Sequence, residues 1–146
     1  MPMDSSTQPQ PPINRLRAAG LRPTRQRLAL ARLLFGAGDR PTLDRHVSAE
    51  ALHSEAQRHR VHVSLATVYN TLNQFTQAGL LREVVVESGR SYFDTNVSDH
   101  HHFFHESDGE LCDIPGASVV LGELPQAPHG TEIARVDVVI RVRNRQ

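Results

Sequence analysis

Apolar residues in about the first 80 positions recur three or four residues apart, the spacing at which one side of a helix is buried. This pattern predicts four helices, at residues 13–20, 25–35, 49–59 and 65–78. Three of them follow a residue whose side chain caps helices well, namely Thr24, Ser48 and Ser64. Glycines end the first and fourth helices, at Gly20 and Gly79. The amino-terminal half is therefore predicted to be helical.

The fourth predicted helix has an unusual polar face. Its buried stripe is formed by Leu65, Val68, Leu72 and Phe75. The other face carries uncharged hydrogen-bonding side chains, where a solvated helix usually carries Lys and Glu: Thr67, Tyr69, Asn70, Thr71, Asn73 and Gln74. Such side chains can reach base edges in the major groove of DNA. The alternative is a polar face that is merely hydrated.

Strand signals follow the fourth helix. Two β-rich runs, at residues 80–87 and 90–95, are joined by Ser88-Gly89, a two-residue hairpin signal. Three helices, a capped fourth helix and a hairpin predict a winged helix-turn-helix domain over residues 13–95. Beyond Asn96, β segments at 103–104, 110–114 and 135–143 and a brief helix at 117–122 predict a small α/β domain over 96–146. The fold class is α+β, and the polar, proline-rich residues 1–12 predict a disordered tail.

Charge is balanced overall but unevenly placed. The 146 residues carry sixteen basic and sixteen acidic side chains, yet residues 15–32 hold six arginines and no acid. Arginines before the fourth helix are suited to holding DNA phosphates, which favours DNA binding over a hydrated face. The predicted DNA contacts are Arg22, Thr24, Arg25, Arg27, Ser64, Thr67, Tyr69, Asn70 and Asn73.

Four histidines within six residues mark the second half, in the run Asp99-His100-His101-His102-Phe103-Phe104-His105. In an extended segment His100 and His102 point to one side and His101 to the other. Acidic residues flank the run, as mixed histidine and carboxylate metal sites require: Asp94, Asp99, Glu106, Asp108 and Asp113. The alternative is a solvated polar turn.

Several classes of protein are disfavoured. A single cysteine, Cys112, cannot form an internal disulfide or a cysteine-only zinc site, and it fits the reducing cytoplasm. No apolar run approaches the roughly 20 residues that span a bilayer, so no membrane role is expected. A metalloenzyme built on the histidines remains a remote alternative, because 146 residues leave little chain for a deep substrate cleft. The chain is predicted not to be an enzyme.

Four segments resemble the amino-terminal half of the ferric uptake regulator family: residues 21–27 (LRPTRQR), 47–50 (VSAE), 66–72 (ATVYNTL) and 79–80 (GL). The likeness extends over residues 13–143, and residues 98–104 (SDHHHFF) resemble the iron response regulator branch of alphaproteobacteria. The resemblance implies a homodimeric winged-helix repressor of iron and haem genes, with residues 96–146 as its dimerisation and ligand-sensing domain. Tyr69 matches the family's base-contacting tyrosine.

The resemblance also implies ligands and partners. The family's regulatory metal site, for iron, manganese or zinc, corresponds to His46, Asp94, His100, His102 and Asp113. In the branch, haem binding is linked to loss of DNA binding, which implicates His100, His101 and His102. The implied partners are double-stranded DNA, a second copy of the chain and a haem-delivering protein.

Departures from the family pattern narrow these implications. Where the family has a Cys-x-x-Cys pair, this chain has His105 and Asp108, which rules out a thiolate zinc site. The family's second metal site corresponds to His101, a position near Val120 or Glu123, and Asp137, and is predicted not to be intact. A metal-corepressed regulator and a peroxide sensor of the same superfamily remain open as alternatives.

Overall fold

The computed structural model describes residues 10–36, 44–87 and 90–146. The predicted Ser88-Gly89 turn and most of the predicted tail lie outside the described residues. The sequence also predicts that Gly36 and Gly38 end the second helix and that residues 39–45 form a loop; of these, Gly38 and residues 39–43 lie outside the described residues as well. The chain divides into two compact units, one extending to Val97 and the other comprising Ser98–Gln146. Among the described residues, no helix is both long and apolar enough to cross a membrane.

The first unit contains the four predicted helices. They are α1 (Pro12–Ala18), α2 (Arg25–Phe35), α3 (Ala49–Arg58) and α4 (Leu65–Gln77). The predicted caps are confirmed, because the side chains of Thr24, Ser48 and Ser64 each accept a hydrogen bond from a backbone N–H in the first turn that follows. The predicted tail extends too far, since buried Pro12 begins α1, where its fixed φ suits the first helical position.

The core of the first unit lies where the helices meet. Val68, Leu72 and Phe75 of α4 are fully buried, as predicted, together with Leu30 of α2 and Leu52 of α3. Two positions on α4 differ from the prediction. Leu65, predicted to be buried, is 37% exposed. Side chains of a helix tilt toward its amino terminus, so that of the first residue points past the start of the helix. Thr71, predicted on the polar face, is buried, because it lies one turn after Val68 at the edge of the stripe.

An antiparallel sheet completes the first unit. It contains β1 (His46–Val47), β2 (Arg82–Glu87) and β3 (Arg90–Asp94) in the order β1-β3-β2. The pairing of β2 with β3 agrees with the predicted hairpin, and both strands are slightly shorter than predicted. The two-residue strand β1 was not predicted, because it exists only through its pairing with β3, where His46 is the partner of Asp94.

The second unit is built around a three-stranded sheet. Its strands are β4 (His100–His105), β5 (Leu111–Pro115) and β6 (Val139–Val142), in the order β5-β4-β6. Strand β4 pairs antiparallel with β5 and parallel with β6. Three predictions need correction: β4 begins at the histidines and not at residue 103, the helix predicted at 117–122 is only the 3-10 turn Gly116–Ser118, and the last strand is shorter than 135–143. The α+β class is confirmed.

Candidate metal centre and nucleic-acid interface

A histidine and a carboxylate meet in the sheet of the first unit. His46 Nε2 lies 3.1 Å from Asp94 Oδ2, and the Asp94 side chain is fully buried. The other carboxylate oxygen of Asp94 accepts a hydrogen bond from the backbone N–H of Asn96, at 2.8 Å. A buried carboxylate is stable only when hydrogen bonds or a cation compensate for lost hydration. One oxygen is therefore held by the backbone, while the other faces an imidazole.

Arg45 fixes the position of the neighbouring His46. Its backbone N–H donates to Thr95 Oγ1 at 2.9 Å, and its carbonyl accepts from the backbone N–H of Thr95 at 3.0 Å. Its guanidinium forms an ion pair with Glu55 of α3, at 2.6 Å, and donates to the carbonyl of Leu33. The short strand β1 is thus attached both to β3 and to the helices.

The second unit places three potential ligands together. His100 Nε2 and His102 Nε2 lie 3.3 Å and 3.4 Å from Asp113 Oδ1, on adjacent strands β4 and β5. The two imidazole side chains are only 5% and 3% exposed, whereas that of Asp113 is 35% exposed. The potential ligand atoms of these three residues lie within 4.8 Å of one another. This spacing is compatible with coordination of one ion.

The hydrogen bonding of His100 favours a cation at this point. His100 Nδ1 lies 2.6 Å from the carbonyl oxygen of Ser98, so we assign the ring proton to Nδ1. In a neutral imidazole the lone pair is then on Nε2, which faces a carboxylate oxygen that also carries lone pairs. Two acceptors so close together need a proton or a metal ion between or beside them. A histidine whose other nitrogen is held by a carbonyl is a common arrangement of metal ligands.

His101 and Cys112 of the second unit are not part of this set of potential ligands. His101 is also buried, but its Nδ1 accepts a hydrogen bond from the backbone N–H of Val138, at 3.2 Å. Burial, assisted by nearby carboxylates, raises the pKa of the Cys112 thiol. The thiol therefore stays protonated at neutral pH, whereas a metal ligand must be a thiolate. Of the residues at the family's Cys-x-x-Cys positions, His105 is the last residue of β4 and Asp108 lies in the turn that follows, where it accepts a hydrogen bond from the backbone N–H of Glu110.

The predicted DNA contacts fall into two groups. Arg22, Arg25, Asn70 and Asn73 are exposed, and so is Tyr69, although its hydroxyl donates to Glu50. The others have structural partners: Thr24 and Ser64 cap helices, the Ser64 hydroxyl also donates to Thr67, and Arg27 donates to Gln74 and to the carbonyl of Arg22. Arg27 therefore links α2 to α4 within the first unit.

Sequence reasoning missed two positioning residues. The hydroxyl of Tyr69 donates to Glu50 of α3 at 2.6 Å, a contact between residues 19 positions apart. Arg45 was assigned to a loop, and its partners Leu33, Glu55 and Thr95 are likewise distant in sequence. No periodicity or local motif marks such pairs, because each depends on the packing of two elements.

The chain has a winged helix-turn-helix unit and a set of histidines and carboxylates, and these two features together are typical of a metal-binding transcription regulator. A model of the ferric uptake regulator family matches residues 18–140, and the chain belongs to this family. Regulators of this family bind DNA and act as dimers, and they are not enzymes, which confirms that prediction.

The relatives of the chain are named as different kinds of regulator. The chain is 33% identical over 102 residues, 70% of its length, to the peroxide-responsive repressor PerR of Staphylococcus aureus (strain Mu50), and it spans 65% of that relative's length. The ferric uptake regulator from Pseudomonas aeruginosa with manganese superposes with a TM-score of 0.65 and 26% identity, covering 91% of this chain and 97% of that one. The Vibrio cholerae ferric uptake regulator shares the fold, with a TM-score of 0.67, 24% identity, and 90% and 98% coverage.

Proposed function

We propose that this chain is a metal-responsive DNA-binding transcription regulator, mainly a repressor, that acts in the cytoplasm as a homodimer. Family membership supports this proposal. The observation that carries it is the set of His100, His102 and Asp113, in which an imidazole lone pair faces a carboxylate at 3.3 Å. Such a set gains most from binding a divalent ion, whose charge compensates the carboxylate and whose empty orbitals accept the imidazole lone pairs.

We propose further that one ion is shared by His46 and Asp94 of the first unit and by His100, His102 and Asp113 of the second. The two or three donors of either unit alone are fewer than the four to six that zinc, iron or manganese take. Nitrogen and oxygen donors without a thiolate suit all three metals. When bound, the ion would supply positive charge that holds the carboxylates and imidazoles of both sets in place.

The proposed consequence of ion binding is control of DNA affinity. A helix-turn-helix dimer must present its two recognition helices about one DNA turn, some 34 Å, apart. Ligands drawn from both units would bias the orientation of the DNA-binding unit and hence this spacing. In this scheme α4 reads bases through Tyr69, Asn70 and Asn73, with Ser64 and Thr67 at its start, while Arg22, Thr24, Arg25 and Arg27 hold or position the phosphate backbone.

The metal proposal is tested by titrating the metal-free protein with Mn(II), Fe(II) and Zn(II) while following retention of DNA. The double variant His100→Ala, His102→Ala should lose the response to metal. His129→Ala, which removes an exposed histidine of the same unit, should respond as the wild type does. A double variant with an unchanged response would refute the assignment of the sensor.

The finer proposal concerns iron and haem. The resemblance to the iron response regulator branch implies control of iron and haem genes, with His100, His101 or His102 as haem ligand and a haem-delivering protein as partner. All three imidazoles are buried in the second unit. Haem could therefore coordinate to them only after the residues that cover strand β4 had moved away. A Soret band that is lost in the His100, His102 variant, with release of DNA, would support haem sensing.

Peroxide sensing is the second candidate function, favoured by the 33% identical relatives that are named peroxide-responsive repressors. Iron bound among histidines could direct oxidation by peroxide onto the imidazoles that hold it. Treatment of the Fe(II)-loaded protein with hydrogen peroxide should then add oxygen to a ligand histidine, detected by mass spectrometry of its peptides. The Mn(II)-loaded protein is the matched control and should remain unmodified.

A further inference from the structure

Tyr69 and Glu50 form an exposed pair on the side of the first unit that carries the polar face of α4. The Tyr69 side chain is directed to solvent, with 38% of the residue exposed, and its hydroxyl donates to Glu50 Oε1 at 2.6 Å. That length is typical of a hydrogen bond from a hydroxyl to a charged carboxylate. Glu50 is the second residue of α3, near the positive end of the helix dipole, which also favours its charged form.

The charge on Glu50 decides how the phenol can bond outward. The hydrogen bond from Tyr69, together with a backbone N–H and nearby Arg90, lowers the pKa of Glu50, so the carboxylate is ionised at neutral pH. An ionised carboxylate can only accept hydrogen bonds, and a phenol has a single proton to donate. That proton is committed to Glu50. The phenol oxygen therefore offers only lone pairs to anything that approaches from solvent.

We propose that Glu50 sets the base preference of Tyr69 by holding its phenol as a hydrogen-bond acceptor. The proposal rests on the proposed insertion of α4 into the major groove. The groups there that can donate to an acceptor are the amino groups of adenine (N6) and cytosine (N4). A transition from A·T to G·C puts a carbonyl oxygen where the adenine amino group was, as does the change from C·G to T·A. Both changes would place two acceptors against each other.

The proposed effect of Glu50 on base preference can be distinguished from the general effect of its negative charge on DNA affinity. Phosphates repel the Glu50 carboxylate whatever the sequence, so its removal should strengthen binding to all DNA alike. A purely structural role is disfavoured because exposed pairs of this kind contribute little to folding stability. The informative quantity is therefore the ratio of affinities for two duplexes that differ by one transition.

The experiment begins with selection of a preferred duplex from a random library by the metal-loaded wild-type protein. Each base pair of that duplex is then replaced by its transition, and affinity is measured for the wild type, Tyr69→Phe, Glu50→Ala and the double variant. At the pair that Tyr69 contacts, the wild type should lose roughly fivefold to tenfold in affinity on transition. Each variant should remove most of this loss, and the double variant should remove no more than either single one.

Glu50→Asp provides the matched test, because it keeps the charge but shortens the side chain so that it no longer reaches the phenol. It should abolish the preference while leaving the salt dependence of binding unchanged. Glu132→Ala, which removes an exposed acid of the second unit, should retain the preference. If the Glu50 variants change affinity by the same factor for every duplex, the proposal is wrong although DNA binding stands. If the selection yields no preferred duplex, the proposed function fails with it.

Discussion

The two units assemble their histidines and carboxylates in different ways. In the second unit, His100, His102 and Asp113 belong to strands that are near each other in sequence, and one antiparallel pairing brings them together. In the first unit, His46 meets Asp94 only because the two-residue strand β1 pairs with β3, although α3, α4 and β2 separate the two strands in the sequence. Closing a longer loop costs more chain entropy. The pair in the first unit therefore depends on the rest of the unit being folded.

Because of this difference, the aspartates of the two units are expected to contribute unequally to folding stability. Asp94 is fully buried and one of its oxygens accepts a hydrogen bond from a backbone N–H, so it stabilises the fold in addition to its proposed role as a metal ligand. Asp113 is partly open to solvent, and its Oδ1 lies near the two imidazoles that would share its ion. Substitution of the two aspartates should consequently have unequal effects on the metal-free protein.

The largest expected effect is that of Asp94→Ala on stability. The change leaves the Asn96 N–H without its buried acceptor and should lower the free energy of unfolding by about 2–3 kcal/mol. Asp113→Ala should lower it by less than about 1 kcal/mol, because water can replace a partly exposed carboxylate. Urea unfolding of the metal-free proteins, followed by circular dichroism, measures both values. Equal losses would contradict the proposed contrast between the units.

Metal affinity provides the next test. If both units share one ion, removing a ligand from either unit should weaken metal binding to a similar extent. His46→Ala and His100→Ala should each weaken Mn(II) or Zn(II) binding by roughly 10- to 100-fold. If the second unit binds the ion alone, only His100→Ala will weaken binding, and the shared-ion proposal is then wrong. Calorimetric titration of both variants, with His129→Ala as the control, distinguishes the two cases.

Arg45→Met should have a smaller effect, confined to the first unit. The variant loses the ion pair with Glu55 and the hydrogen bond to Leu33, and the free energy of unfolding should fall by about 0.5–1 kcal/mol, because the pair is partly exposed. Arg58→Met removes an exposed arginine of α3, the helix that carries Glu55, and should change stability very little. Urea unfolding again measures both. A loss no larger than that of Arg58→Met would show that Arg45 does not secure β1.

The same contrast explains what could be predicted from sequence. Capping residues and buried stripes act within one helix, so Thr24, Ser64, Val68 and Phe75 were assigned correctly. The histidine run was recognised by its composition alone. Its placement in β4 was only partly predicted, because alternation is weak where three successive residues are all histidine and all buried.

Pairings between distant elements could not be predicted in this way. Strand β1 has only two residues, too few for a periodic signal, and the contacts of Arg45 and Glu50 arise from packing of helices and strands. The assignment of His46 to the metal site came from family resemblance and not from its local pattern. Hence residues positioned by long-range pairing are those for which structure adds most to sequence.

The smallest expected effect concerns the long-range pair of Tyr69 and Glu50. The hydrogen bond to Glu50 raises the pKa of Tyr69, because ionisation of the phenol would end that bond and place two negative charges together. Any stabilisation from the pair is complete below the ordinary phenol pKa and is lost as pH rises through the raised value. In a Tyr92→Phe background one phenol remains, so its absorbance reports Tyr69 alone.

Glu50→Gln should shift that titration to lower pH, toward the ordinary range, whereas Glu132→Gln should leave it in place. A phenol titration unaffected by Glu50→Gln would mean that the two side chains do not remain paired in solution, and the proposed control of base preference would fail with it. A shift would instead show that long-range packing in the first unit fixes the direction of a hydrogen bond on an exposed surface. Such a bond has little effect on folding, and its consequence would lie in how the surface selects DNA.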